Sequence, residues 1–220
     1  MNAQNQSNRS NWVVDTRLWL VLDRHAAQPR SLAEVTALAV KGGVDAVLCR
    51  IKDAPLPQIR ELARPVRQLC RELKVPFVMS HEIELALELE ADGLQIGVSD
   101  PPLAEVRSAI GNGLMLGYST HGVGEALARF HDGADYVFLG PVYPTPAKLK
   151  YGAPLGVDTV AQAQTLPGPV VFIGGITPQN CQPLIELGAK RVAAISALQA
   201  VTDPTTSASQ FIAAMNKKTS

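Results

Sequence analysis

Several groups of residues in this chain are of types that do chemistry. Gly174-Gly175 follows the short apolar run Val170–Ile173, and Ser196-Ala197 follows Arg191–Ile195. A glycine pair lets backbone N–H groups approach a ligand with no Cβ in the way, and Ser196 and Ala197 enter a helix, so the two segments together make an anion nest. Two glycines would also serve a plain tight turn. Arg50 and Lys52 are two residues apart at the end of the run Ala46–Arg50, so both can face one side. They suit a phosphate or carboxylate; the blander alternative is a solvated rim paired with Asp53. His121, just past Leu114–Ser119, is the general acid/base candidate, because its unperturbed pKa lies near neutrality, although a lone histidine is more often structural. Ser119 stands beside it. His81 follows the apolar run Phe77–Met79 and ranks lower; His25 and His131 fall outside the site. Thr145 and Lys148 lie in a long proline-rich loop of the kind that often acts as a lid, though Lys148 also reads as an ordinary exposed lysine.

These residues share one property: each follows a short apolar run. The runs Leu18–Leu22, Ala46–Arg50, Pro76–Ser80, Gly93–Ile96, Leu114–Ser119, Tyr136–Leu139, Val170–Ile173 and Arg191–Ile195 read as strands buried on both faces. Helix-period segments alternate with them: Ser31–Lys41, Leu56–Leu73, Ile83–Glu90, Leu103–Ile110, Val123–His131, a weaker Val157–Gln164, Gln179–Leu187 and Ser207–Met215. Ser31 and Glu34 have the spacing of a capping box. Glycines at 42–43, 133 and 188 end helices ahead of the next strand. Eight βα units predict a single (β/α)8 TIM barrel, whose chemistry sits at the C-terminal strand ends.

The chain has 220 residues, 46% of them hydrophobic, enough for one sizeable core. Its 20 Lys plus Arg balance 20 Asp plus Glu, and no like-charge block stands out. That argues against a nucleic-acid or anionic-membrane partner and leaves room for a phosphorylated small molecule, which needs only local cations. Cys49, Cys70 and Cys181 form no zinc spacing and read as reduced thiols, which predicts a cytoplasmic protein. No apolar run is long enough to span a bilayer. Residues 1–14 read as a disordered leader without a secretory signal, and 15–216 as the barrel domain. A homo-oligomer is compatible with all of this.

The strand ends together resemble those of the thiamin phosphate synthase and thiazole tautomerase (TenI) superfamily. The resemblance runs from Leu18 to Ala200 through LWLVLDR, GGVDAVLCRIKD, ELEADGLQIG, GYSTH, GADYVFLGPVYPTPAK, VVFIGGITPQN and GAKRVAAISAL. It implies thiamin biosynthesis, with Gly174, Gly175, Ser196, Ala197, Ser119, Thr145 and Lys148 holding a thiazole phosphate. The departures bear on the reaction. Where the synthases carry Gln-Leu-Arg-Glu-Lys, this chain has Leu48-Cys49-Arg50-Ile51-Lys52, which keeps the cations and loses the glutamine that contacts the pyrimidine. Where they carry Asn-Asp, with the aspartate on magnesium, it has Ser80-His81. Asp100 matches the other metal carboxylate, and Ala147 replaces a hydroxyl residue. The reading preferred on these grounds is a thiazole tautomerase that uses no cofactor, with His121 moving the proton and Arg50 and Lys52 holding the carboxylate. The alternative is a thiamin phosphate synthase using Mg2+ at Asp100. A third is a non-catalytic binder of a phosphorylated ligand.

Overall fold

The computed structural model describes residues 12–145 and 153–217. Eight parallel strands close into one barrel in sequence order, each hydrogen-bonded to the next and β8 to β1. They are β1 (Leu18–Leu22), β2 (Ala46–Cys49), β3 (Phe77–Ser80), β4 (Gly93–Ile96), β5 (Met115–Thr120), β6 (Tyr136–Leu139), β7 (Val170–Ile173) and β8 (Val192–Ala194). Between them run α1 (Leu32–Lys41), α2 (Leu56–Leu73), α3 (Ile83–Glu88), α4 (Leu103–Ile110), α5 (Val123–His131), α6 (Asp158–Ala163) and α7 (Gln182–Glu186). A short α8 (Ser196–Gln199) and α9 (Pro204–Asn216) follow β8. The single (β/α)8 TIM barrel expected from the alternating pattern is therefore the fold.

Strand side chains alternate between two apolar shells, as a period of two requires. Trp19, Val21, Ala46, Leu48, Val78, Met115, Tyr136, Phe138, Val171 and Ala193 point into the barrel and fill it. Leu18, Leu20, Val47, Cys49, Met79, Leu94, Ile96, Val137 and Phe172 point outward onto the helices. Both faces of the strands are buried, which is why they read as continuous apolar runs. Three aspartates just ahead of even-numbered strands hold the odd strand before them. Asp45 accepts from the Leu18 N–H at 2.9 Å, Asp92 from the Phe77 N–H at 2.8 Å, and Asp135 from the Leu116 N–H at 2.7 Å.

Some boundaries move. α7 begins at Gln182 rather than 179, because the Asn180 side chain accepts from the Thr177 N–H at 2.7 Å and fixes a turn there. The last helix begins at Pro204, with Asp203 capping the Thr205 N–H. The capping box forms only in part: Ser31 accepts from the Glu34 N–H at 3.1 Å, while the Glu34 carboxylate lies 4.0 Å from Arg30.

The expected disordered leader over 1–14 is corrected at its end. Trp12–Asp15 is a 3-10 turn with Val13 fully buried. Buried Arg191 donates to the carbonyls of Val13 (2.6 Å) and Val14 (2.7 Å), tying this turn across the N-terminal mouth of the barrel. Trp12 packs against Trp19 in a tilted pair with ring centroids 5.5 Å apart, and an aromatic group with Tyr136 and Phe138 plugs that end. Residues 1–11 lie outside the described residues. The barrel is thus packed shut at one end, and ligand access belongs to the other.

Candidate active site

The loops after β7 and β8 lie side by side at the open end. Gly174 and Gly175 take φ of +103° and +65°, conformations that L side chains rarely adopt. A Cβ on Gly174 would stand 2.4 Å from Pro141 Cα, and one on Gly175 2.7 Å from Tyr143 Cβ. The glycines are therefore required by the tight turn and by the β6 loop crossing it. That loop is tied down: the Tyr143 N–H donates to the Gly174 carbonyl at 2.9 Å, and the Tyr143 hydroxyl donates to the Asn180 carbonyl at 2.8 Å. Asn180 in turn donates to the Gly175 carbonyl at 2.9 Å. Ser196 and Ala197 open α8, where first-turn N–H groups have no intrahelical acceptor.

The β8 loop is held to the barrel by Gln199, a residue not singled out in the sequence. It is fully buried, donates to the Val21 carbonyl at 2.6 Å and accepts from the Asp23 N–H at 3.0 Å. One side chain thus joins the β8 loop to the end of β1. The signal was a glutamine directly after the largely apolar stretch Ala193–Leu198, since a buried polar side chain must find partners.

Arg50 extends from the end of β2, and its guanidinium lies 3.8 Å from the Asp23 carboxylate. Burial lowers the Arg50 pKa, and Asp23 and Asp53 oppose that shift, so the side chain stays a cation. Ile51 is buried in the core and Lys52 is exposed. Leu48 fills the barrel interior.

His121 stands at the end of β5, 52% exposed. Its N–H donates to the Glu125 carboxylate at 2.7 Å, and Nδ1 lies 3.9 Å from the same oxygen. Ser119, one residue before Thr120, accepts from Gln95 Nε2 at 3.0 Å. Because the Ser119 oxygen is thus used as an acceptor, its hydrogen is directed elsewhere. Gln95, almost fully buried inside the barrel, is a second residue the sequence reading passed over. Thr145 is half-buried; Lys148 lies outside the described residues.

His81, ranked low in the sequence, makes a close polar contact at this rim. Its Nδ1 lies 2.6 Å from Asp100 Oδ2, which also accepts from the Gly97 N–H at 2.7 Å. Magnesium demands near-octahedral oxygen ligands, commonly carboxylates with water and phosphate. Around Asp100 the donor set is one carboxylate with one oxygen already engaged twice, plus an imidazole. Among the described residues no group of three or more His, Cys, Asp or Glu could hold a metal. The side chains present do not fit that ion.

Comparison with known proteins places this geometry. The model of a family described as thiamine monophosphate synthase matches residues 18–198. The chain belongs to this family. A putative thiamine-phosphate synthase of Geobacter sulfurreducens is 39% identical over 207 residues, covering 94% of this chain and 97% of that protein. A thiamine-phosphate synthase of Chloroflexus aurantiacus is 38% identical over 200 residues, covering 90% and 92%. The solved thiamine phosphate pyrophosphorylase of Pyrococcus furiosus superposes with a TM-score of 0.84 at 29% identity, covering 93% of this chain and 98% of that one. Both of these curated relatives carry synthase names, and neither is named as a tautomerase. Among the described residues, no helix is long and apolar enough to cross a membrane.

Proposed function

We propose that this protein is a transferase of the thiamine-phosphate synthase type, joining a pyrimidine diphosphate to a thiazole phosphate. The reading is supported by two candidate anion-binding features at the strand ends of one barrel mouth. The amide edges of Gly174-Gly175 and Ser196-Ala197 form one, and the Arg50 rim with Lys52 forms the other. Two phosphorylated substrates need two such places. The glycine loop holds the thiazole phosphate, with Thr145 and Lys148 assigned to the same substrate from their sequence positions. Arg50 and Lys52 meet the diphosphate and its departing negative charge. Ser119, whose oxygen accepts from Gln95, is assigned as a hydrogen-bond donor to the substrate from the β5 side. Fixed donors aimed at developing charge lower a barrier because they need no reorganisation.

A second reading, the cofactor-free thiazole tautomerase, is favoured by one specific observation: the His81–Asp100 contact takes up the rim's matching carboxylate. In that reaction His121 moves a proton while the phosphate sits in the same cradle. Purified protein given both substrate sets decides between them. Formation of thiamine phosphate with release of pyrophosphate supports the transferase. Conversion of the thiazole tautomer without any condensation, lost in His121→Ala, overturns it.

A further inference from the structure

We infer that His81 takes the place of a divalent cation at the β3–β4 rim, so that the free protein binds no Mg2+ there, and that this one side chain is what keeps the ion out. The inference concerns the same rim as the transferase reading but does not depend on turnover.

The backbone sets the contact up. His81 adopts φ +68°, a left-handed conformation more usual for glycine, and its N–H donates to the Gln95 carbonyl of β4 at 3.0 Å. Histidine, asparagine and aspartate are the side chains that tolerate this region best. The turn brings position 81 against Asp100, nineteen residues later in the chain. Asp100 is only 11% exposed and is fixed from behind by the Gly97 N–H. A carboxylate held so rigidly needs a positive or hydrogen-donating partner on its open face. The imidazole Nδ1 supplies it at 2.6 Å.

Chemistry then works against a metal. Asp100 Oδ2 already accepts two hydrogen bonds, so ligation through that oxygen, the one turned to position 81, would require breaking at least one. The imidazole would offer nitrogen to an ion that selects oxygen. Replacing the imidazole by a carboxylate reverses each point. Two carboxylates would face each other across a short gap, repelling without a cation and forming an oxygen-donor pair with one. Aspartate also fits the φ of position 81, so His81→Asp keeps the backbone.

The test is cation binding to the full-length protein without substrate, using Mn2+ as a paramagnetic probe for Mg2+ and thermal melting with each ion. The wild type is expected to leave Mn2+ free at millimolar concentration and to show no change in Tm. His81→Asp is expected to melt below the wild type in chelator and to regain about 3–6 °C when Mn2+ or Mg2+ exceeds its Kd tenfold. Wild-type Mn2+ binding that Mg2+ displaces and Asp100→Asn abolishes overturns the inference, and that measurement stands even if His81→Asp fails to fold. A folded His81→Asp as indifferent to cations as the wild type overturns it as well. Loss of the proposed transfer reaction would leave both readouts unaffected, since neither involves substrate.

Discussion

Replacing Gly174 by alanine separates two costs that the β7 loop carries. The first is conformational, since alanine at φ +103° is held where its Cβ crowds the backbone, at roughly 1–2 kcal/mol. The second is steric: the new Cβ would stand 2.4 Å from both Cα and Cβ of Pro141, and Pro141 belongs to a loop pinned to β7 by the Val142 N–H on the Ile173 carbonyl. Overpacking of this kind costs about 1–3 kcal/mol. Gly133 provides the control. Its φ is +101°, and a Cβ there would meet nothing within 4 Å, so Gly133→Ala carries the first cost alone. Gly174→Ala should therefore be the less stable variant by about 1–3 kcal/mol, a Tm gap of roughly 2–12 °C for a chain of this length. Circular dichroism melting measures it. Binding of the thiazole phosphate by calorimetry provides the functional half. A displaced cradle should weaken Gly174→Ala about tenfold, equivalent to roughly 1.4 kcal/mol, while Gly133→Ala binds as the wild type does. Equal melting temperatures refute the collision argument. Unchanged affinity in Gly174→Ala refutes the cradle.

Three other outcomes follow from packing and burial. Gln199→Leu should cost about 1–3 kcal/mol in urea unfolding, because the Val21 carbonyl and Asp23 N–H lose a buried partner, and it should also weaken thiazole phosphate binding through the β8 loop; a variant with unchanged stability and unchanged binding would show the loop is held otherwise. Arg191→Met removes charge-assisted bonds to the Val13 and Val14 carbonyls and should lower stability by about 2–3 kcal/mol, with a change in near-ultraviolet circular dichroism as Trp12 leaves Trp19. Burial pushes the Cys49 thiol up to about 12, with Cys70 adding to the effect, and burial raises Cys70 to about 12 as well. Because the thiolate is the nucleophile, neither cysteine should react with iodoacetamide at pH 8 in the native protein, and both should react in urea; native labelling of either, read by mass spectrometry, contradicts that burial.

The open end of the barrel was legible because active sites of this fold sit where strands end. Gly174-Gly175, Arg50, Lys52, Ser119 and His121 all follow apolar runs, and every run became a strand within a residue or two. The preferred reaction was less legible. It rested on two departures, at Leu48 and His81, whereas the likeness to relatives named as synthases runs over nearly the whole chain and supports the transferase proposed above. Single substitutions at a rim weigh heavily when residues are read one at a time, because nothing in the linear string shows how the rest of the rim compensates.

By itself the sequence determined the periodicities: two for strands filling a barrel and coating it, three to four for the helices around it, and glycine where helices must turn back. Those are local properties, set by which residues can bury a face and which can take positive φ. Tertiary structure decided what meets across the mouth. Gln199 reaches Val21 and Asp23 only because β8 closes against β1, 178 residues earlier in the case of Val21. His81 meets Asp100 only because a left-handed residue turns the chain there, and Trp12 joins the fold only because Arg191 holds its turn across the barrel floor. Such contacts depend on the register and closure of the sheet, and no spacing along the chain encodes them.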